Sequence, residues 1–286
     1  MKTFIKNHFP GLVQFVRDFQ TLKQFKAKRA MFQERNARLH KMYEENLKKF
    51  KNIHKGERCF IVATGPSLRM EDVGRLKEEY TFGVNSCLTM YDKTNWRATY
   101  YGIVDSNTVS IMGDRLKTDE IPVFFYTDYD ATYDGKNGVA FPKDDADNLL
   151  TDTFWKKLFP KKFKETSFSD DITRVVYTGK SVVYAMLQIA VYMGFTEIYL
   201  IGVDCNYAQP KMYSENVTYV DFKTKWDMER LKKQGNQMLP QYEIARKYAD
   251  EHGIKIYNAT RGGQLEAFER VDLDEFFAKR DKESVR

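Results

Sequence analysis

Cysteine is scarce in this chain of 286 residues: Cys59, Cys87 and Cys205 are the full complement, far apart and without metal-ligand spacing. A disulfide framework and a cysteine zinc site are therefore excluded, and the reducing cytoplasm is the expected location. Histidine is nearly as rare. Of His8, His40, His54 and His252, three fall in the first 54 residues and the last ends a predicted helix. The main domain thus shows no histidine acid–base pair. Long apolar runs are missing as well, and nothing approaches the roughly 20 residues that span a bilayer. The opening segment is broken by Lys6, His8, Pro10, Arg17 and Asp18, unlike the continuous apolar block of a secretory signal. No internal repeat or low-complexity stretch stands out.

What the chain does carry is aromatic residues and an uneven charge. Phe, Tyr and Trp make up 15% of it, enough for a packed core or for surfaces that stack on sugars and bases. The net charge is +6, but residues 1–58 hold 15 Lys/Arg against 5 Asp/Glu, which leaves −4 for the remainder. The positive charge belongs to an appendage.

That appendage reads as helix over 12–53. Apolar residues recur in three- and four-residue steps from Leu12, Phe15, Val16 and Phe19 through Phe32, Leu39 and Leu47 to Phe50. Two uses fit a basic amphipathic arm of residues 1–56. It packs on its own domain or on a second copy in a homo-oligomer, or it rests on the inner membrane surface through residues 1–54. Nucleic acid is not expected, because no recognition motif accompanies the charge.

Residues 57–286 have a different rhythm. Short apolar runs at 58–63, 80–84, 99–104, 121–126, 198–203 and 254–257 alternate with helical stretches near 71–79, 181–193 and 240–252. Such alternation predicts an α/β domain: a mainly parallel, Rossmann-like sheet with helices on both faces. The polar stretch 127–174 reads as a lid or insertion with a short helical piece near 148–158. Ligands of such sheets bind beyond the carboxyl ends of the strands. The candidates are therefore Thr64, Gly65 and Ser67 after the first run, Asn85 after the second, Asp105 after the third and Asp204 after 198–203. Thr178, Gly179, Lys180 and Ser181 open a long apolar helix but are not a P-loop, since Arg174 stands where the motif needs glycine. Asp128 and Asp130 form a D-x-D pair, too short a pattern to assign a metal.

Two stretches together resemble a known superfamily. Phe60-Ile-Val-Ala-Thr-Gly-Pro-Ser-Leu68 is similar to the first strand and turn of bacterial lipooligosaccharide sialyltransferases and of the 6-hydroxymethylpterin diphosphokinase-like family. Met193-Gly-Phe-Thr-Glu-Ile-Tyr-Leu-Ile-Gly-Val-Asp204 resembles the second hallmark of both, so the resemblance extends over residues 57–260. By sialyltransferase analogy, Thr64, Gly65, Ser67, Asn85, Asp105, Thr178, Gly179 and Ser181 would hold the nucleotide. Asp204 would be catalytic, and Tyr207 and Tyr213 would assist the departing phosphate. Those enzymes place a histidine base in a loop where this chain has Lys233–Met238, with Asn236 near its position, and an amide cannot accept a proton as imidazole does. The expected function is a glycosyltransferase that moves a nucleotide-activated sugar, CMP-linked by the resemblance, to a glycan or glycolipid of the cell surface, with no cofactor. Its alternatives are a Mg²⁺-dependent diphosphokinase using ATP, with ligands from Asp105, Asp128, Asp130 or Asp204, and an inactive nucleotide- or glycan-binding subunit.

Overall fold

A computed structural model describes residues 10–104, 106–117, 120–126, 135–144, 167–206 and 228–283. The apolar runs become strands β1 (Arg58–Val62), β2 (Tyr80–Val84), β3 (Tyr100–Ile103) and β4 (Val123–Tyr126). They are followed by β5 (Gly138–Phe141), β6 (Lys143–Asp144), β7 (Val176–Tyr177), β8 (Glu197–Ile201), β9 (Lys255–Asn258) and β10 (Glu269–Arg270). Eight of these form one sheet in the order β10-β9-β8-β1-β2-β3-β4-β5. Every pairing in it is parallel. Strands buried on both faces read as continuous apolar runs, as β1 does with Cys59–Val62 wholly inside.

The order contains one reversal. From β1 the chain steps outward through β2, β3, β4 and β5, then returns to place β8 on the other side of β1. The carboxyl ends of β1 and β8 therefore diverge into a crevice, the place where open parallel sheets take their ligands.

Helices cover the sheet. The 39-residue α1 (Pro10–Lys48) runs beside β5 and β6 and shields that edge. Next come α2 (Met70–Gly74), a 3-10 turn at Asn85–Asp92 and α3 (Ser106–Lys117). The almost wholly buried α4 (Val182–Tyr192) packs across β1, β2 and β3. Lastly α5 (Met228–His252) and α6 (Leu273–Glu283) close the chain.

Three expectations change. Part of the supposed lid is sheet, because β5 pairs with β4 along its whole length and β6 pairs with β7. Its expected helix near 148–158 lies outside the described residues. Helix α5 begins well before Pro240, so residues 233–238, expected as a loop, are helical. Pro240 inside the helix has no N–H to give the carbonyl of Asn236 four residues earlier.

The basic arm is also joined to the core. Tyr43 and Leu47 are wholly buried with the sheet residues, and Leu39 and Phe50 pack against them. Asn52, His54 and Gly56 donate backbone hydrogen bonds to Tyr192, Met193 and Gly194 (3.1, 2.9 and 3.0 Å). The His54 ring stacks on Phe195 and bridges the Glu57 carboxylate (2.5 Å) and the Tyr100 hydroxyl (2.6 Å). Charge changes at residue 56, but packing continues upstream into α1. Among the described residues, no helix is long and apolar enough to cross a membrane.

Candidate functional site

The crevice between β1 and β8 gathers four of the residues singled out above. The turn after β1 folds back on β8 through backbone bonds from Ala63 to Ile201 (2.9 Å) and from Gly65 to Gly202 (2.8 Å). This brings Ser67 onto Asp204: its hydroxyl donates to Oδ2 at 2.8 Å and its N–H points to the same oxygen at 3.5 Å. Gly65 makes the approach feasible, since a side chain there would occupy the space of Asp204 Oδ2 and the Gly202 carbonyl. Thr64 is buried beside it.

Asp204 is itself buried, at 6% exposure. Burial raises its pKa above the ordinary 3.8, opposed by the two Ser67 hydrogen bonds and by the charge of Arg270. A carboxylate poised this way holds a proton more readily than a solvated one, which suits an acid–base role.

A loop that the sequence reading passed over roofs this pair. After β9, Asn258 bonds the Thr260 N–H (3.0 Å) and the Leu265 carbonyl (2.6 Å), which shapes residues 259–265 into a tight turn. The Thr260 hydroxyl donates to the Leu200 carbonyl (3.2 Å) and accepts from the Val203 N–H (3.0 Å). Gln264 N–H closes on the Asp204 carbonyl at 2.7 Å. Arg270 pins the same loop through the carbonyls of Thr260, Gly262 and Gly263 (3.3, 3.2 and 3.4 Å) while paired with Glu266. Arg261 clamps both buried Asp72 and Asp274 with bidentate contacts of 2.7–2.8 Å, which ties the loop to α2 and α6. The signal available in sequence was Gly262-Gly263, separated by four residues from the 254–257 run.

Asn85, at the carboxyl end of β2, adopts a left-handed backbone with φ of 47°. Its carbonyl accepts from the Tyr101 hydroxyl, which in turn accepts from Leu88 N–H (2.8 Å). Its side-chain Oδ1 is shielded from solvent and has no hydrogen-bond partner among the described residues. A buried acceptor without a donor is rare in folded proteins. Next to it, the Cys87 thiol donates to the Val62 carbonyl at 2.9 Å, and burial pushes its pKa up to about 12. That thiol is inert packing.

The turn before α4 is a second group. Gly179 and Lys180 are both left-handed, with φ of 51° and 62°. Ser181 caps the helix by accepting from Val183 N–H (3.2 Å), and Thr178 is buried beneath. Tyr242 links this turn to the crevice: its hydroxyl donates to Ser181 Oγ (3.2 Å) and also bonds the thiol of Cys205, next to Asp204. Ser181→Ala removes the cap and one Tyr242 partner, so a loss of about 1 kcal/mol is expected in chemical denaturation. An unchanged midpoint would show that the cap carries nothing. Lys180 bonds Gln237 of α5, and the adjacent Asn236 is exposed on that helix.

Asp105, Tyr207 and Tyr213, like Asp128 and Asp130, lie outside the described residues. Among the described residues no cluster of three or more His, Cys, Asp or Glu could hold a metal.

The chain matches the family of 6-hydroxymethylpterin diphosphokinase MptE-like proteins over residues 35–210, more than half its length. It belongs to that family. The MptE-like match starts inside α1, upstream of the charge boundary and near where packing on the sheet tightens. Among solved structures, the MAf glycosyltransferase from Magnetospirillum magneticum AMB-1 aligns with a TM-score of 0.48 at 14% identity. The alignment takes in 87% of this chain and 42% of that one, so this chain spans less than half of that protein's length. No curated protein matches.

Proposed function

We propose that this MptE-like chain is a nucleotide-dependent transferase, moving a sugar from a nucleotide-activated donor to a glycan or glycolipid acceptor. The observation that carries the reading is buried Asp204, hydrogen-bonded to Ser67 where β1 and β8 diverge, under the 260–264 loop. The Gly65–Ser67 turn would let backbone N–H groups approach phosphate or ribose. The unmatched Oδ1 of Asn85 asks for a donor, which the ionised phosphodiester oxygens of a nucleotide-sugar cannot supply. A base amino group or a ribose hydroxyl can. Asp204, with its raised proton affinity, would replace the absent histidine as the group that deprotonates the acceptor hydroxyl. Thr64, Thr178, Gly179 and Ser181 would complete the donor site, with Asp105 at its rim and Tyr207 and Tyr213 at the leaving phosphate.

A second reading rests on the family name: pyrophosphate transfer from ATP to a pterin alcohol. Mg²⁺ would then be held by Asp204 together with substrate phosphates and water, a sufficient set for that ion, and would screen phosphate charge.

Thermal unfolding against CMP, CDP, UDP, GDP and ATP, with and without Mg²⁺, separates the two. Saturation at about 100 times Kd adds roughly 2.7 kcal/mol. The expected result is stabilisation by a cytidine nucleotide without metal, lost in Asn85→Gly, which keeps the left-handed backbone but removes the amide. Stabilisation only by ATP with Mg²⁺ would replace glycosyl transfer with the diphosphokinase. Binding without turnover of any donor would leave an inactive binding subunit. No stabilisation by any nucleotide would overturn the site.

A further inference from the structure

Helix α1 has two apolar faces. At 100° per residue, buried Asp18, Phe25, Phe32, Tyr43 and Leu47 and half-buried Leu39 fall on one side of it, the side packed on the domain. Leu12, Phe15, Val16 and Phe19 fall on another, roughly 130° round the helix by the same geometry. These four are 56, 47, 48 and 45% exposed, among the most exposed large apolar side chains of the described residues. The next turns on their side of the helix carry Lys23 and Lys26, both exposed, with the Lys23 ammonium 5.1 Å from the centre of the Phe19 ring. Between residues 10 and 33 the helix holds Arg17, Lys23, Lys26, Lys28 and Arg29 against Asp18 alone. Asp18 is buried and hydrogen-bonded to Gln14 (2.7 Å), so its charge is turned away from this face.

We propose that the first turns of α1 seat on an anionic membrane surface, with Leu12, Phe15, Val16 and Phe19 inserted among the lipids and Lys23 and Lys26 on the headgroups. The juxtaposition is that of an interfacial helix: a short apolar patch followed on the same side by lysines whose stems reach past it to the charged layer. Charge favours this occupant over a second copy of the chain. Pairing this face with itself gives Lys23 and Lys26 no acidic partner, since Asp18 is the single acid between residues 10 and 33 and is buried. Four half-exposed side chains also offer on the order of 350 Å², against roughly 800 Å² per partner in a stable interface. The patch lies upstream of residue 35, where the family match begins. The proposal does not depend on the reaction at Asp204.

The test is co-sedimentation of the full chain with vesicles of phosphatidylcholine alone and of phosphatidylcholine with phosphatidylserine. Leu12→Ser with Phe19→Ser, and Lys23→Glu with Lys26→Glu, are run beside it. All four residues are exposed, so both variants should keep the parent's melting temperature. Capture by the anionic vesicles alone, weakened by salt and reduced about tenfold or more in each double variant, is the expected result. Equal capture by both vesicle types, no capture by either, or capture unchanged in the variants would each overturn it. So would a dimer in light scattering that both variants dissociate in a chain that ignores vesicles, which would assign the face to a second copy.

Discussion

Asp204→Asn should reduce transfer by about 10³-fold while raising the melting temperature at neutral pH. The first half follows from its position: a proton-accepting carboxylate at the transfer site contributes a factor of that order, and an amide accepts no proton. The second half follows from linkage. Burial raises the folded-state pKa of Asp204 above the unfolded 3.8, so the folded chain binds this proton more tightly than the unfolded one. Ionised Asp204 therefore costs stability at every pH above its folded pKa. That cost fades as pH falls toward the unfolded value, where the side chain is neutral in both states. Asparagine keeps an acceptor for Ser67 without the charge. The gain should show as a higher melting temperature at pH 7, the direction typical of relieving a functional site. It should shrink in acid. Calorimetry of both proteins across pH 4–8 checks the sign. A lower melting temperature for the variant would mean that the Ser67 bonds outweigh burial.

The second large effect compares two glycines with the same backbone. Gly56 and Gly263 both have φ of 82°, where an L side chain is strained by about 1–2 kcal/mol. An added carbon at Gly56 meets nothing within 4 Å, whereas at Gly263 it falls on the backbone of Asp204. Gly56→Ala should cost the strain alone. Gly263→Ala should add an overpacking penalty and reach about 3 kcal/mol or more. It should also displace Asp204 and abolish nucleotide binding. Urea unfolding of both variants gives the difference directly. Equal losses would show that the 260–264 loop does not clasp Asp204.

Gly65 and Gly263 mark how far the site was legible in the sequence. Gly65 was legible because Thr64-Gly65-Pro66-Ser67 directly follows a strongly apolar run. Gly263 follows a run just as clear, but nothing local says that the β9 loop returns to a residue 59 positions earlier. Strand β5 is apolar and mostly buried but only four residues long, and the polar residues on either side of it hid it from a periodicity reading. Helix α5 was cut short because a proline in sequence signals a helix start far more often than a helix interior. Its carbonyl-freeing position above Asn236 emerges only once the helix is continuous.

By itself, the sequence determined the alternation of buried strands and helices, hence the parallel α/β class. It also determined the residues that end each strand and the charge imbalance of the first 58 residues. Those properties are local, written in the periodicity of apolar side chains. Only the tertiary structure decided that β8 returns beside β1, which places Ser67 2.8 Å from a carboxylate 137 residues away. It likewise decided that one face of α1 packs on the sheet while Leu12, Val16 and Phe19 on another are half-exposed. Periodicity states how deeply a side chain is buried. Which surface buries it is settled by the packing of the whole chain.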